Sequence, residues 1–185
     1  ENVDAGVARM LEETSYVPQG GELLHTTQHR LREKRAIEAA GAPVAPYAEI
    51  RSVAELKRAV ERFGVPCVLK TATGGYDGKG QRVIRAAEEA PQAYAELGGD
   101  GAELVLEQFI RFEREISVIA ARSPRGEVRT FPPAENIHVD NILHISIVPA
   151  RVPQAVREKA ERMAVRIAEK LGAIGLLAVE MFVTA

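Results

Sequence analysis

The sequence predicts an α+β fold on three observations. Strand-like and helix-like runs come in mixed order, several strand candidates lie close enough to pair as hairpins, and no segment repeats. From Val3 to about Glu13, apolar Val3, Val7, Met10 and Leu11 recur at helical spacing. Pro18, Gly20 and Gly21 then read as a break, and a stronger helix is expected from about Thr27 to Ala40, stopped by Gly41 and Pro43. Its basic residues Arg30, Arg32, Lys34 and Arg35 suit a solvated helix face, the ordinary place for such side chains.

An extended piece follows from Val44 to Ile50. Ser52 with Glu55 three residues on makes a capping box opening a helix that ends at Gly64. Pro66 to Lys70 and Gln81 to Ile84 read as strands, with a glycine-rich stretch between them. A short helix from Pro91 to Leu97 precedes a strand at Leu104 to Gln108. The second half offers strands at Glu113 to Ala121, Val128 to Phe131, Asn136 to Val139 and Ile142 to Val148, with a turn at Pro124-Arg125-Gly126. Pro153 starts the longest helix, which Gly172 ends, and Leu177 to Val183 closes the chain as a strand.

Composition narrows the function class. The 185 residues suffice for one full domain or two small lobes, and 46% hydrophobic with 27% charged residues fits a globular chain. A formal net charge of -2 with interspersed signs gives no field for nucleic acid, and no apolar run reaches the ~20 residues that a membrane helix needs. Cys67 is the only cysteine, which excludes an intrachain disulfide and a cysteine-based zinc site, and a reducing cytoplasm is the expected location. Cys67 itself reads as buried packing, and no residue looks like a covalent nucleophile. The chain opens at Glu1 without methionine, so an incomplete N-terminus is expected.

The most informative stretch runs from Lys70 to Gln81. Four glycines among Gly74, Gly75, Gly78 and Gly80 leave backbone N–H groups free to converge on one anion, and Lys70 and Lys79 add two positive charges. A triphosphate suits such a mouth. A Walker A loop would need glycine at Thr73 and a hydroxyl at Gly80, so that motif is excluded. The dinucleotide pattern is absent too, and a strand rather than a helix follows the loop. What remains is a flap between two strands. An ordinary hairpin turn explains the glycines equally well, but Lys70 at the end of an apolar strand would need an anionic partner.

Other residues carry two readings each. Glu107 closes an apolar strand, either as a solvated strand end or as a ligand contact. Glu113 and Glu115 share one face of their strand and could be ordinary surface acids. His138 alone is more often structural. Glu180 interrupts the apolar run Leu176 to Phe182, and a carboxylate buried there would require a cation or a donor.

The stretch Gly-Gly-Tyr-Asp-Gly-Lys-Gly-Gln at 74–81, preceded by Val68-Leu69-Lys70, resembles the signature of the 5-(carboxyamino)imidazole ribonucleotide synthase family, within the ATP-grasp superfamily. The likeness continues through Gln28-His29-Arg30 with Lys34, Gly41 to Pro46, Glu107-Gln108-Phe109-Ile110, Glu113 to Ser117, Glu135-Asn136-Ile137-His138 and Val179-Glu180-Met181-Phe182. It implies an ATP-grasp fold, in which two lobes with mixed and antiparallel sheets and flanking helices hold ATP between them. Residues 1–46 would end an N-terminal domain and supply linking helices, 47–111 would form the smaller lobe with its lid, and 112–185 the larger.

By the same resemblance, ATP and Mg2+ are the expected cofactors. Arg30 and Lys70 would contact phosphates, and Gly75, Tyr76, Asp77, Gly78, Lys79, Gly80 and Gln81 would form the lid, with Lys70 and Lys79 as the catalytic cations. Glu107, Gln108, Phe109 and Ile110 would line the adenine cleft, Glu115 would hold the ribose, His138 would lie near nucleotide or substrate, and Glu180 would bind magnesium. The implied activity is an ATP-dependent ligase joining bicarbonate to 5-aminoimidazole ribonucleotide through carboxyphosphate, in a cytoplasmic homodimer of purine biosynthesis. A formate-using glycinamide ribonucleotide ligase and a nucleotide-binding piece without turnover are the alternatives. The family extends beyond both ends, so an incomplete chain is expected. It also commonly has Asp where this chain has His29, which would bear on the orientation of the helix carrying Arg30.

Overall fold

In the computed structural model, which describes residues 3–74 and 80–185, fifteen elements run in mixed order. They are α1 (Ala5–Glu12), α2 (Gly20–Thr27), α3 (Arg30–Ala39), β1 (Tyr47–Ile50), α4 (Val53–Phe63), β2 (Cys67–Thr71), β3 (Gln81–Ile84), α5 (Ala90–Glu96) and β4 (Leu104–Gln108). The second half gives β5 (Arg114–Arg122), β6 (Val128–Thr130), β7 (Ala134–Val139), β8 (Ile142–Ile147), α6 (Gln154–Leu171) and β9 (Gly175–Val183). The chain divides into two compact units, one from described residues within 28–34 and 44–110, the other from those within 1–27, 35–43 and 111–185. No helix among the described residues is long and apolar enough to cross a membrane.

The first unit is a four-stranded antiparallel sheet in the order β1-β4-β2-β3. Alternation sends Ile50, Cys67, Leu69, Ile84, Leu104 and Leu106 to one face, where they pack with α4 and α5. Each fully buried Leu or Ile there stabilises by ~1.5–3 kcal/mol. Ser52 caps α4, its Oγ accepting the Glu55 N–H at 3.2 Å. The Glu55 carboxylate accepts from the Arg51 N–H at 2.9 Å, one residue earlier than a strict capping box requires. The other face of the sheet carries Tyr47, Val68, Lys70, Val105 and Glu107.

In the second unit β5 is central. β9 pairs along its whole length, so β6 and β7 share the opposite edge, and β8 adds to β7. Ile116, Val118, Ala120 and Val179 face α6, whose Ala160, Ala164, Ile167 and Ala168 are buried against them. Small residues on the helix permit close approach to the sheet. Gly172, at φ 62°, supplies the left-handed residue that ends α6. Asp140 (φ 51°) and Asn141 (φ 63°) form the two-residue turn between β7 and β8, and the two positive φ angles match strand twist.

The helix expected from about Thr27 is α3, starting at Arg30, and a further helix, α2, stands where a break was expected. Gly20 and Gly21 open α2 rather than break the chain, and the interruption falls at Gln28 and His29. Two tertiary contacts decide this. Glu12 Oε1 accepts the Gly21 N–H at 2.7 Å, satisfying a free donor at the start of α2. A Cβ on Gly21 would lie 2.6 Å from Arg9 Cγ, so the approach of α2 to α1 requires glycine.

Candidate functional site

In the four-stranded unit, strand register places Lys70 opposite both Gln81 and Val105, on the face away from α4 and α5. Glu107 is on that same face, opposite Val68, and is only 8% exposed. The sequence left Lys70 in need of an anionic partner, and the fold supplies one from its own chain. Lys70 Nζ donates to Glu107 Oε2 at 2.8 Å, while Lys34 Nζ lies 3.1 Å from Oε1. Burial opposes ionisation of Glu107, but the two lysines outweigh it and hold the carboxyl below its usual range. The solvated strand end is thereby excluded for Glu107.

Helix α3 begins beside this cluster. Arg30 donates through Nε to the Thr71 carbonyl at 3.0 Å and through a terminal nitrogen to the Gly74 carbonyl at 3.3 Å. Its backbone N–H reaches the Ala72 carbonyl at 2.8 Å. Arg30, expected on a phosphate, thus holds the chain leaving β2 where the glycine-rich stretch starts. Thr71 N–H donates to the Gly80 carbonyl at 3.0 Å at the far limb. Gly75, Tyr76, Asp77, Gly78 and Lys79 lie outside the described residues.

His29 is 6% exposed and occupies the cap position of α3. Its Nδ1 accepts the Leu31 N–H at 3.3 Å, so its Nε2–H donates to Glu103 at 3.0 Å. Imidazole therefore does what a capping carboxylate does, accepting from the second residue of the helix, and also ties α3 to β4's leading end. Gln108 points to the opposite face from Glu107, its register partner being Cys67. Phe109 and Ile110 follow β4 in irregular chain, Phe109 being exposed.

The five-stranded unit gathers a second group. Glu115, His138 and Glu180, from β5, β7 and β9, line one cavity of about 140 Å³ together with Asn136 and Phe182. Register explains the meeting, because Glu115 is opposite Phe182 and Asn136, and Ser117 is opposite Glu180, all on the face away from α6. His138 Nδ1 contacts the Glu115 carboxylate directly. Beneath them Ser146 Oγ–H donates to Asn136 Oδ1 at 2.9 Å, and Asn136 Nδ2–H donates to Ser117 Oγ at 3.0 Å. Phe112 stacks on Phe182 with centroids 4.4 Å apart.

Glu180 corrects the sequence argument. It is exposed, not buried among apolar neighbours, because β9 alternates: Val179 faces α6, whereas Leu176, Ala178, Glu180 and Phe182 are exposed on the open face. The need to neutralise a buried carboxylate therefore does not apply. Among the described residues no three His, Cys, Asp or Glu side chains converge as a metal cage. A single open carboxylate on a cavity still suits magnesium, which binds through one or two carboxylates plus phosphate oxygens.

Alternation also resolves the Glu135-Asn136-Ile137-His138 stretch. Asn136 and His138 face the cavity, whereas Glu135 faces the other side, 4% exposed and gripped by Arg114 (2.8 Å) and by Arg151 through Nε (2.9 Å) and a terminal nitrogen (2.7 Å). Those arginine bonds, Arg151 foremost, bring the Glu135 carboxyl down to about 2. Lys34, Ser117, Asn136 and Ser146 were not singled out as site residues by the sequence. Lys34, Ser117 and Asn136 fall within the stretches that carry the family resemblance, whereas nothing in the sequence pointed to Ser146. Cys67 is fully buried, which pushes its thiol up to about 11 and leaves it unsuited to nucleophilic attack.

Comparison with known proteins finds relatives that match the whole chain. The N5-carboxyaminoimidazole ribonucleotide synthase of Bacillus subtilis is 50% identical over 184 residues, covering 100% of this chain and 48% of that protein. An N5-carboxyaminoimidazole ribonucleotide synthetase solved as its ADP complex superposes with a TM-score of 0.93 at 48% identity, over 100% of this chain and 48% of its own. The carboxyaminoimidazole ribonucleotide synthase of Aspergillus clavatus, solved with ATP, gives 0.91 at 27% identity over 98% and 48%. The chain spans about half the length of the relatives it matches. The ATP-grasp domain profile matches residues 35–185, and the chain belongs to the ATP-grasp family.

Proposed function

We propose that this chain is the nucleotide-holding part of an ATP-dependent ligase that carboxylates 5-aminoimidazole ribonucleotide with bicarbonate, in purine biosynthesis. The observation that carries the reading is the Lys70–Glu107–Lys34 cluster on the sheet face away from α4 and α5, at the root of a glycine-rich stretch. Identity of 50% to a synthase of this activity, over the whole chain, supports the substrate assignment.

In this reading Lys70 meets the ATP phosphates, and Arg30 fixes the start of the stretch that covers them, with Gly80 and Gln81 at its end. Glu107 to Ile110 border the base. Glu115 receives the ribose hydroxyls, its pairing with His138 setting the orientation of both. Glu180 is the protein carboxylate for magnesium, which would supply charge neutralisation at the phosphate oxygens. Bicarbonate is a poor electrophile. Transfer of the γ-phosphoryl group of ATP to one of its oxygens, with ADP leaving, makes a reactive mixed anhydride, carboxyphosphate, whose carbon the substrate amine attacks as inorganic phosphate departs and the amine loses a proton. The residues' main task is to offset charge on the transferring phosphoryl group and keep water away. A cytoplasmic homodimer belongs to the same reading, and sedimentation would test the dimer.

Calorimetric titration with ATP and magnesium tests the nucleotide site. Lys70→Ala should weaken binding about 10- to 100-fold, as expected for a charged hydrogen bond of ~1.5–3 kcal/mol. Equal binding by both proteins, or none by either, defeats the assignment. Phosphate release stimulated by aminoimidazole ribonucleotide plus bicarbonate supports the substrate class. Stimulation by formate with glycinamide ribonucleotide instead would replace it.

A further inference from the structure

Glu107 presents a difficulty for a phosphate site at Lys70. A carboxylate 2.8 Å from the ammonium makes a neutral pair and puts negative charge beside any arriving phosphate. The second lysine removes that difficulty. Lys34 Nζ takes the other carboxylate oxygen, Oε1, so each oxygen of Glu107 has its own cation. The cluster is left with one net positive charge. Glu49, the other acid whose register places it on this sheet face, is bound by Arg51 at 2.8 Å and so is offset locally.

Lys34 is held for this purpose from two directions. Its side chain is 14% exposed, and its ammonium lies 5.6 Å from the centre of the Tyr47 ring on β1, a cation–π contact that limits its freedom. It also follows Arg30 by four residues on α3, so one helix face supplies both Arg30 to the loop root and Lys34 to Glu107. A side chain so buried and so placed is not the solvated helix residue that its composition suggested.

We infer that Lys34 is a positioning residue for nucleotide binding: it acts through Glu107, taking up the carboxylate charge so that Lys70 remains available to a phosphate. This rests on the reading that Lys70 meets the nucleotide. Lys34 itself touches the carboxylate and not the ligand, which separates it from a second phosphate-binding lysine.

A double-mutant cycle read by calorimetric titration with ATP and magnesium tests this. Lys34→Met should weaken binding about tenfold, and Lys34→Arg should restore most of it. In a Glu107→Gln background, where no charge needs offsetting, Lys34→Met should change the dissociation constant by less than about twofold. Lys34→Gln, which keeps a donor for Glu107 without the charge, is measured alongside in case the methionine variant does not fold, and should weaken binding like it. An effect of Lys34→Met that persists at full size in the Glu107→Gln background means that Lys34 meets the ligand directly and overturns the inference. So does a fall in melting temperature with no change in binding. Absence of ATP binding by the unmodified chain would instead sink the nucleotide reading, and loss on Lys70→Ala without loss on Lys34→Met would sink only the inference.

Discussion

Glu107 and Glu135 are both buried carboxylates on strands, each met by two cations, yet the two arrangements differ in kind. Arg151 grips Glu135 through two side-chain nitrogens, and its backbone N–H adds a third bond at 3.3 Å, with Arg114 completing the set. A guanidinium fork fixes geometry as well as charge, so this cluster is closed and structural. Glu107 has lysines, single point charges on flexible stems, one per oxygen. A lysine can keep its carboxylate and still turn a remaining donor towards another anion. The same charge count thus yields a forked, fixed grip in one unit and two single-point contacts in the other.

Removing each carboxylate would break the comparison most strongly. Glu107→Leu leaves two lysines facing each other with side chains 14% and 21% exposed, and should destabilise by ~3–5 kcal/mol, measured by urea unfolding. Glu135→Leu should cost less, because Arg114 and Arg151 have side chains 40% and 58% exposed and can turn to water. An equal loss at both sites would show that cation type does not matter.

Exchanging the cations should have a smaller effect. Arg151→Lys gives up the fork and should lower the melting temperature by about 2–4 °C, with Glu135 moving back towards ordinary carboxylate behaviour. No change in the acid limb of its stability profile would contradict the account.

The smallest expected effect is in pH dependence. Glu135 is held at about 2 when folded, against 4.5 as its reference. Its stabilisation is therefore fully present above pH 4.5 and is lost as pH falls towards 2. Thermal unfolding should show wild type and Glu135→Gln converging as pH falls from 4.5 towards 2. Glu107 behaves in the same direction, held low by Lys70 and Lys34 against its burial. A gap that widens on acidification would reverse the sign and refute the pairing.

Much of this protein could be read from local pattern. Alternating apolar residues located β3 and β4 to the residue, and Pro153 and Gly172 bounded α6, because strand faces and helix ends are set by near neighbours. The glycine-rich stretch and Lys70 drew attention for the same reason. Other features needed the tertiary structure. Only strand pairing puts Lys70 beside Glu107, 37 residues on, and Glu115 beside Glu180 on one open face. Only packing turned Gly20-Gly21 into a helix start and exposed Glu180, which the apolar sequence around it had seemed to bury. Sequence sets what each residue prefers. Which charges meet, and which face of a strand sees water, depends on contacts between segments far apart in the chain.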